Sequence, residues 1–438
     1  MRSVLVLLAL LSICEANGQQ WLSLGGGVLT RDGSNSTIRA MAVDTDNNEL
    51  YVWGCFDSTG TGVIGKPIMK WDGATWNNLG LQPSSSFNCN VTIDRSMLYC
   101  GRRLYYASYE YVSKASLNPF TAATIGTATA DVEDLCWWNG KLVAVGDFAK
   151  MNGVTCNGIA VYDTTTQVWS ALGQGINFGQ YVYCCYNWNG KLVIGGLFAE
   201  VDGVSCNSVA MYDTSGGGQW ISPANGIGDA LNASNEGIIH ALSSWNGELF
   251  AGCSNGNVNI PNLQSFDGTD WIIRGSTNPV RVLYPTDSAL FVGGMSLQYY
   301  NQSGLHGFSN PLGSVWKYAL ASYNGHMIVG GDFRYDSNGD TLNCIAELIP
   351  YNGINEVMQN EISVAPNPAI NNITLNYLEP HSSINIYNLQ GQLLIKKITI
   401  AEQTEIDMSE LPSGIYLLQI ESKEGVVVKK VVKEAPAP

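Results

Sequence analysis

The sequence predicts an all-β chain: a seven-bladed β-propeller followed by a small C-terminal antiparallel β-sandwich. Three observations point there. One segment repeats, strand-like runs alternate with tight turns along most of the chain, and the pattern changes character near residue 354. The segment 138–164 reads WNGKLVAVGDFAKMNGVTCNGIAVYDT and returns at 188–214 as WNGKLVIGGLFAEVDGVSCNSVAMYDT. A fixed period of roughly fifty residues marks a stacked or radial repeat array.

Each unit resolves into four short strands. Asn139-Gly140 and Asn189-Gly190 supply the positive φ angles that a two-residue hairpin turn needs. The run after the turn ends in glycine, which suggests close backbone approach or a bend. A polar loop, a short apolar strand, an Asp-led turn and a last strand opened by tryptophan complete the unit. Four strands in about fifty residues is the size of one propeller blade.

Fainter copies continue along the chain. Aligned on the apolar residue after the first turn, the anchors are Leu50, Leu98, Leu142, Leu192, Leu249, Leu290 and Met327, which gives seven blades. The unit around Leu98 is the most degenerate, with Arg95-Ser96 at its expected turn. Trp21-Leu22-Ser23-Leu24-Gly25 matches a last strand (compare Trp76–Gly80 and Trp169–Gly173), whereas the seventh unit lacks one. The N-terminal strand is therefore expected to complete the last blade, which removes open sheet edges.

Residues 1–18 read as a secretory signal peptide: Arg2, an apolar run Val4 to Leu11, then small and polar residues. The run is too short to span a membrane, and no later stretch is long enough. A lipoprotein reading through Cys14 is the minor alternative. The net charge of −15 argues against nucleic acid and anionic membranes as partners. Of eleven cysteines, most are expected to be small buried hydrophobes. Export permits disulfides, and Cys89 with Cys100 is the best candidate pair, flanking an expected hairpin.

The propeller is expected over 19–353 and a linker over 354–361. Over 362–438 the pattern becomes alternating strands with tight turns, the signature of a small antiparallel sandwich. Pro366-Asn367-Pro368 follows its first strand. Tyr387-Asn388-Leu389-Gln390-Gly391, then Leu411-Pro412-Ser413-Gly414-Ile415-Tyr416, then Lys429-Lys430-Val431-Val432-Lys433 come next, with a five-residue tail beyond. This segment resembles the type A sorting domain of the Bacteroidetes type IX secretion system. The resemblance implies an export address carried by Pro366, Asn367, Pro368, Gly391, Pro412, Gly414, Tyr416, Lys429, Lys430 and Lys433. It implies the secretion machinery and its sortase as partners, and removal of the domain before release or surface attachment. The repeats resemble those of the GGDF…N-x-IA-x-YD…W-x-x-LG type, found in exported bacterial proteins and in ectodomains of fungal bud-site cortical markers. That likeness bears on fold rather than activity.

Signals for chemistry are sparse. Histidines in the propeller are His240, His306 and His326, and no nucleophile motif accompanies them. His306 and His326 fall in turns, the latter expected to be solvated. WDGATW (71–76) and SFDGTDW (265–271) look like sialidase Asp-boxes but lack one residue of that box, so they read as turns. Asp44 and Asp46, and Asp336, Asn338 and Asp340, present alternating oxygen ligands suited to calcium, without the full loop pattern; no cofactor is otherwise expected. Most tryptophans sit at repeat positions and read as packing; Trp53, Trp137 and Trp316 do not.

Geometry gives the best candidate surface. The start of each innermost strand lies near the channel mouth, and those starts carry Arg39, Glu133, Tyr183, His240, Arg281 and Tyr318. Such a polar ring suits a polar or saccharide ligand. The expected role is that of a secreted or cell-surface monomer, non-enzymatic, adhering to or binding a glycan or protein. The alternatives are a polysaccharide-active hydrolase or lyase with carboxylates on the top face, and a structural surface-layer or gliding component.

Overall fold

The computed structural model describes residues 19–31, 36–65, 68–80, 96–177, 179–228, 237–254, 261–275, 278–308, 311–350, 363–376, 382–388, 392–399, 401, 403–422 and 425–434. The signal segment and the 354–361 linker lie outside them. The chain divides into two compact units, Met1–Tyr351 and Asn352–Pro438.

Among the described residues, the first unit contains seven four-stranded antiparallel sheets. Their innermost strands are Thr37–Asp44, Met97–Cys100, Val132–Trp138, Tyr181–Trp188, Ile238–Trp245, Val280–Pro285 and Lys317–Tyr323. Each packs beside the next, and the seventh packs against the first, so the sheets form a ring. We number the sheets one to seven in that order. The seventh is completed by Gln19–Ser23, which pairs antiparallel with Ile345–Pro350. The first and last described strands of the first unit are thus hydrogen-bonded into one sheet, as the unmatched N-terminal strand motif predicts.

The turns explain the register. Asn139 and Gly140 have φ of 47° and 75°, and the Asn-Gly pairs at 189, 246 and 324 behave alike. Trp138 pairs with Lys141 and Trp188 with Lys191, as two-residue hairpins require. The second sheet corrects the sequence alignment. Its hairpin turn is Gly101-Arg102, both at positive φ, rather than Arg95-Ser96. Leu98 lies on the innermost strand, and the fully buried equivalent of Leu50 is Leu104. An arginine in the left-handed conformation hides the usual Asn-Gly signal.

The glycine closing the second strand has a steric cause. A Cβ on Gly146 would sit 2.1 Å from the Asp131 carbonyl oxygen; Gly54, Gly196, Gly294 and Gly331 face the innermost strand equally closely. The tryptophans tie neighbouring sheets. Trp169 Nε1 donates to the Ile125 carbonyl at 2.7 Å, Trp138 to Gly190 at 2.9 Å and Trp271 to Pro223 at 3.0 Å. Burying roughly 200 Å² of indole is worth on the order of 5 kcal/mol before ordering entropy. The core follows this plan: one cluster joins Val143, Val145 and Ile159 of the third sheet to Leu192, Ile194 and Trp220 of the fourth.

In the second unit a three-stranded sheet (Ser363–Ala365, Asn372–Asn376, Gln403–Asp407) accompanies a four-stranded one (Leu393–Ile398, Ser383–Tyr387, Gly414–Ser422, Gly425–Lys433). They share a core of Ile373, Leu375, Ile384, Ile386, Leu418 and Val431. The motif residues converge on the last strand. Asn367 Nδ2 donates to the Lys430 carbonyl, and Asn367 Oδ1 accepts the Val432 N–H. Lys433 is buried and donates to the Ser409 carbonyl, while the Tyr416 hydroxyl donates to Pro412. Gly391 lies outside the described residues.

Candidate ligand site at the channel mouth

Arg39, Glu133, Tyr183, His240, Arg281 and Tyr318 line one cavity of about 230 Å³. The ladder shows why these six converge. The pairing register of the innermost strand skips one residue in six sheets, between Ile38 and Ala40, Val132 and Asp134, Val182 and Cys184, Ile239 and Ala241, Val280 and Val282, and Lys317 and Ala319. The skipped residue is in each case the expected mouth residue. A bulge leaves its extra residue outside the ladder and re-aims the side chain. In five of the six sheets the close-approach glycine of the second strand pairs with the residue just before the bulge; in the fifth, Cys253 holds that place. In the second sheet Ser96 lines the cavity. The residue nine positions before Leu104, matching the spacing of Glu133 to Leu142, is Arg95, which lies outside the described residues.

The side chains are stitched together around the ring. The Arg39 guanidinium lies 3.8 Å over the Tyr318 ring. Tyr318 stacks on Trp316 at 6.1 Å and 21°, and the Arg281 guanidinium lies 5.2 Å from the Trp316 ring. These contacts form a column of arginine, tyrosine, tryptophan and arginine across the first, seventh and sixth sheets. Arg281 Nη1 then donates to His240 Nδ1 at 2.9 Å, and His240 contacts Tyr183, which stacks on Tyr181 at 6.0 Å and 12°. Tyr181 was missed as a site residue, and Trp316 was singled out only as a tryptophan off the repeat positions, not as a mouth residue. Each lies two positions before a mouth residue, and the strand's period of two is the signal that points to them.

Protonation follows from these partners. Arginine cannot accept a hydrogen bond, so His240 Nδ1 is the acceptor and the proton resides on Nε2, which donates to Ser254 Oγ at 2.8 Å. Burial, then the adjacent Arg281 charge, holds the imidazole pKa well below its ordinary value. Tyr183 is pushed up to about 12 by burial, with Glu133, Tyr181 and Asp147 adding to the effect and Arg281 opposing it. Asp134, beside Glu133 on the cavity wall, is raised to about 6 by burial. Its two oxygens accept the N–H groups of Cys185 and Leu135, at 2.9 and 2.8 Å.

The other sequence candidates are occupied by local structure. Asp72 accepts the N–H groups of Ala74 and Thr75, and Asp267 those of Thr269 and Asp270, so both Asp-Gly segments are self-capped turns. Asp44 accepts from the Asp46 and Asn47 backbone, and Asp46 pairs with Arg102. Asp336 accepts from Asn338 and Asp340. Among the described residues, no group of three or more His, Cys, Asp or Glu gathers in a metal-binding arrangement. His306 lies on the strand Gly304–Gly307 rather than in a turn and contacts Ser303 and Asn301, and His326 opens the strand His326–Gly331 and pairs with Glu347 rather than being simply solvated. Trp53 packs on Tyr106 and Trp137 on Tyr105.

The cysteine expectation is corrected. Cys100 carries a free thiol, whereas Cys55 is disulfide-bonded. The hairpin closes from Cys100 to Arg103, so Cys100 sits at a turn; Cys89 lies outside the described residues. Cys136, Cys156, Cys184, Cys185, Cys206, Cys253 and Cys344 are buried free thiols. A larger cavity of about 490 Å³ lies in the second unit, but its polar side chains Asn372 and Lys397 already donate to Glu405.

Residues 363–434 match the secretion system C-terminal sorting domain, and residues 189–216 match a β-propeller domain of unknown function, DUF5122. No curated protein matches this chain. Among solved structures it is similar to the extracellular domain of the one-component system BT4673 from B. thetaiotaomicron, at 11% identity and a TM-score of 0.50, over 97% of this chain and 59% of that one. It is also similar to PorZ, a bacterial surface component of the type-IX secretion system of Porphyromonas gingivalis, at 12% identity and a TM-score of 0.41, over 91% of this chain and 66% of that one. The chain thus spans less than two thirds of either structure, and at such identities the likeness concerns fold alone. Among the described residues no helix is long and apolar enough to cross a membrane. The chain is therefore a β-propeller joined to a type IX secretion sorting domain, secreted or displayed at the cell surface.

Proposed function

We propose that the protein is an exported, non-enzymatic binding module whose ligand, a glycan or a protein group, is held at the channel mouth. The observation that carries this reading is the convergence of six bulge side chains, from six different strands, on one cavity. Bulges recur near functional sites because they free a side chain from the ladder, and concave sites with a few placed polar groups bind ligands. The Ser254–His240 contact weighs against the hydrolase alternative. A general base must accept the nucleophile's proton, yet His240 Nε2 carries a proton and donates it to Ser254. Asp134, the raised carboxyl of the mouth, has both oxygens engaged by backbone N–H groups.

The test uses the full chain against panels of polysaccharides and surface proteins, scoring retention and new reducing ends or unsaturated products in the same tubes. The expected result is retention without product, lost when Tyr183 and Arg281 are both replaced by Ala. Product release would favour the enzyme instead. Retention unaffected by the double substitution would move the site away from the mouth.

A further inference from the structure

The aromatic rings of the mouth are not laid out as sugar platforms. Tyr318 is in ring contact with Trp316 and covered by Arg39, and Trp316 is in turn contacted by Arg281. Tyr183 is in contact with both Tyr181 and His240. With their faces engaged by neighbouring groups, the rings fix the planes of two guanidiniums. A guanidinium stacked on an aromatic face presents its N–H edges in a fixed plane suited to bidentate recognition of oxyanions, and Arg281 already commits one Nη1–H to His240. Fixing that plane in advance removes ordering cost from binding.

The charges are arranged to match. Going around the ring from the fifth sheet to the first, the cavity-lining bulge residues are neutral His240, Arg281, Tyr318 and Arg39. The carboxyls lining the cavity among the described residues, Glu133 and Asp134, both stand on the third sheet. Asp332 lies behind the Tyr318 hydroxyl, 3.4 Å away, and does not line the cavity. The lining charges cancel, two arginines against Glu133 and Asp134, but the arginines stand on the first and sixth sheets and the carboxyls on the third, so an anion is favoured on the arginine side of the mouth.

We propose that the channel mouth selects small ligands bearing an oxyanion group, a carboxylate or a sulfate or phosphate ester, gripped by the guanidinium edges of Arg39 and Arg281. This rests on the reading of the mouth as the ligand site and gives that site its chemical class.

The experiment is calorimetric titration of the full chain at low ionic strength with a matched set: glucose, glucosamine, glucuronate, glucose 6-sulfate and glucose 6-phosphate. The anionic members are expected to bind at least about tenfold more tightly than glucose or glucosamine, with affinity falling as salt is added. Arg39→Lys and Arg281→Lys keep the charge but lose the planar fork, and each is expected to weaken anion binding about tenfold. Their melting temperatures report whether they fold, and one folded variant suffices. Neutral or cationic sugars binding as tightly as the anions, with sensitivity to Tyr183→Ala, would overturn the ligand class and leave the mouth as the site. Anion binding untouched by both lysine variants would overturn the mouth itself. Absence of binding by all three anions at millimolar concentration would overturn the proposal. Comparison of the glucuronate, sulfate and phosphate arms identifies which oxyanion the site prefers.

Discussion

Gly146 offers the sharpest test of how the repeat builds the mouth. Replacing it with Ala places a Cβ 2.1 Å from the Asp131 carbonyl oxygen. An ordinary C···O contact is about 3.3 Å, so the start of the third innermost strand must retreat by roughly 1 Å. That oxygen belongs to the backbone, two residues before the bulged Glu133, and no flexible side chain can yield in its place. Overpacking of this kind costs about 1–3 kcal/mol. Urea unfolding monitored by circular dichroism should therefore show Gly146→Ala less stable by that amount. Gly307 is the control: a Cβ there meets nothing within 4 Å, and Gly307→Ala should stay within about 0.5 kcal/mol of the parent. Equal stability of the two variants would refute the claim that close backbone approach dictates the repeat's glycine.

Other outcomes follow from the same geometry. His240 has a depressed pKa, so the unfolded chain binds more protons below about pH 6.5. The stability it contributes is complete above that pH and is lost as pH falls, and His240→Gln should flatten that limb of a stability–pH profile. Asp134 acts with opposite sign: raised to about 6, it makes stability decline as pH climbs from about 4 to 6, a slope that Asp134→Asn should remove. Trp169→Phe loses the hydrogen bond to Ile125 and part of an inter-sheet contact, for about 2 kcal/mol in chemical denaturation. Asn367→Ala loses both hydrogen bonds to the last strand. It should destabilise the sorting unit by about 1–3 kcal/mol, read as faster amide exchange across Gly425–Lys433.

The legible parts of the fold were those with local chemistry. Asn-Gly pairs specify their hairpins because few other residues accept two consecutive positive φ angles, and the turns at 139, 189, 246 and 324 sit where the sequence puts them. The second sheet was misaligned because Arg102 adopts the left-handed conformation without an asparagine to announce it. Spacing alone was enough to bring the six mouth residues to one cavity, since every innermost strand begins at a similar distance from its hairpin. Spacing could not reveal that they are bulges, nor that Trp316 and Tyr181 back them, because both depend on register between strands. The same non-local dependence hid the cysteine pairing, where the thiol of Cys100 is free and Cys55 is bonded.

The most direct measurement is a crystal structure of the full chain soaked with the ligand it retains best. The account predicts density in the cavity, with a ligand oxygen within hydrogen-bond distance of Arg39 or Arg281. Ligand bound to the outer strands or to the loops at the far end of the channel, with the mouth empty, would contradict it.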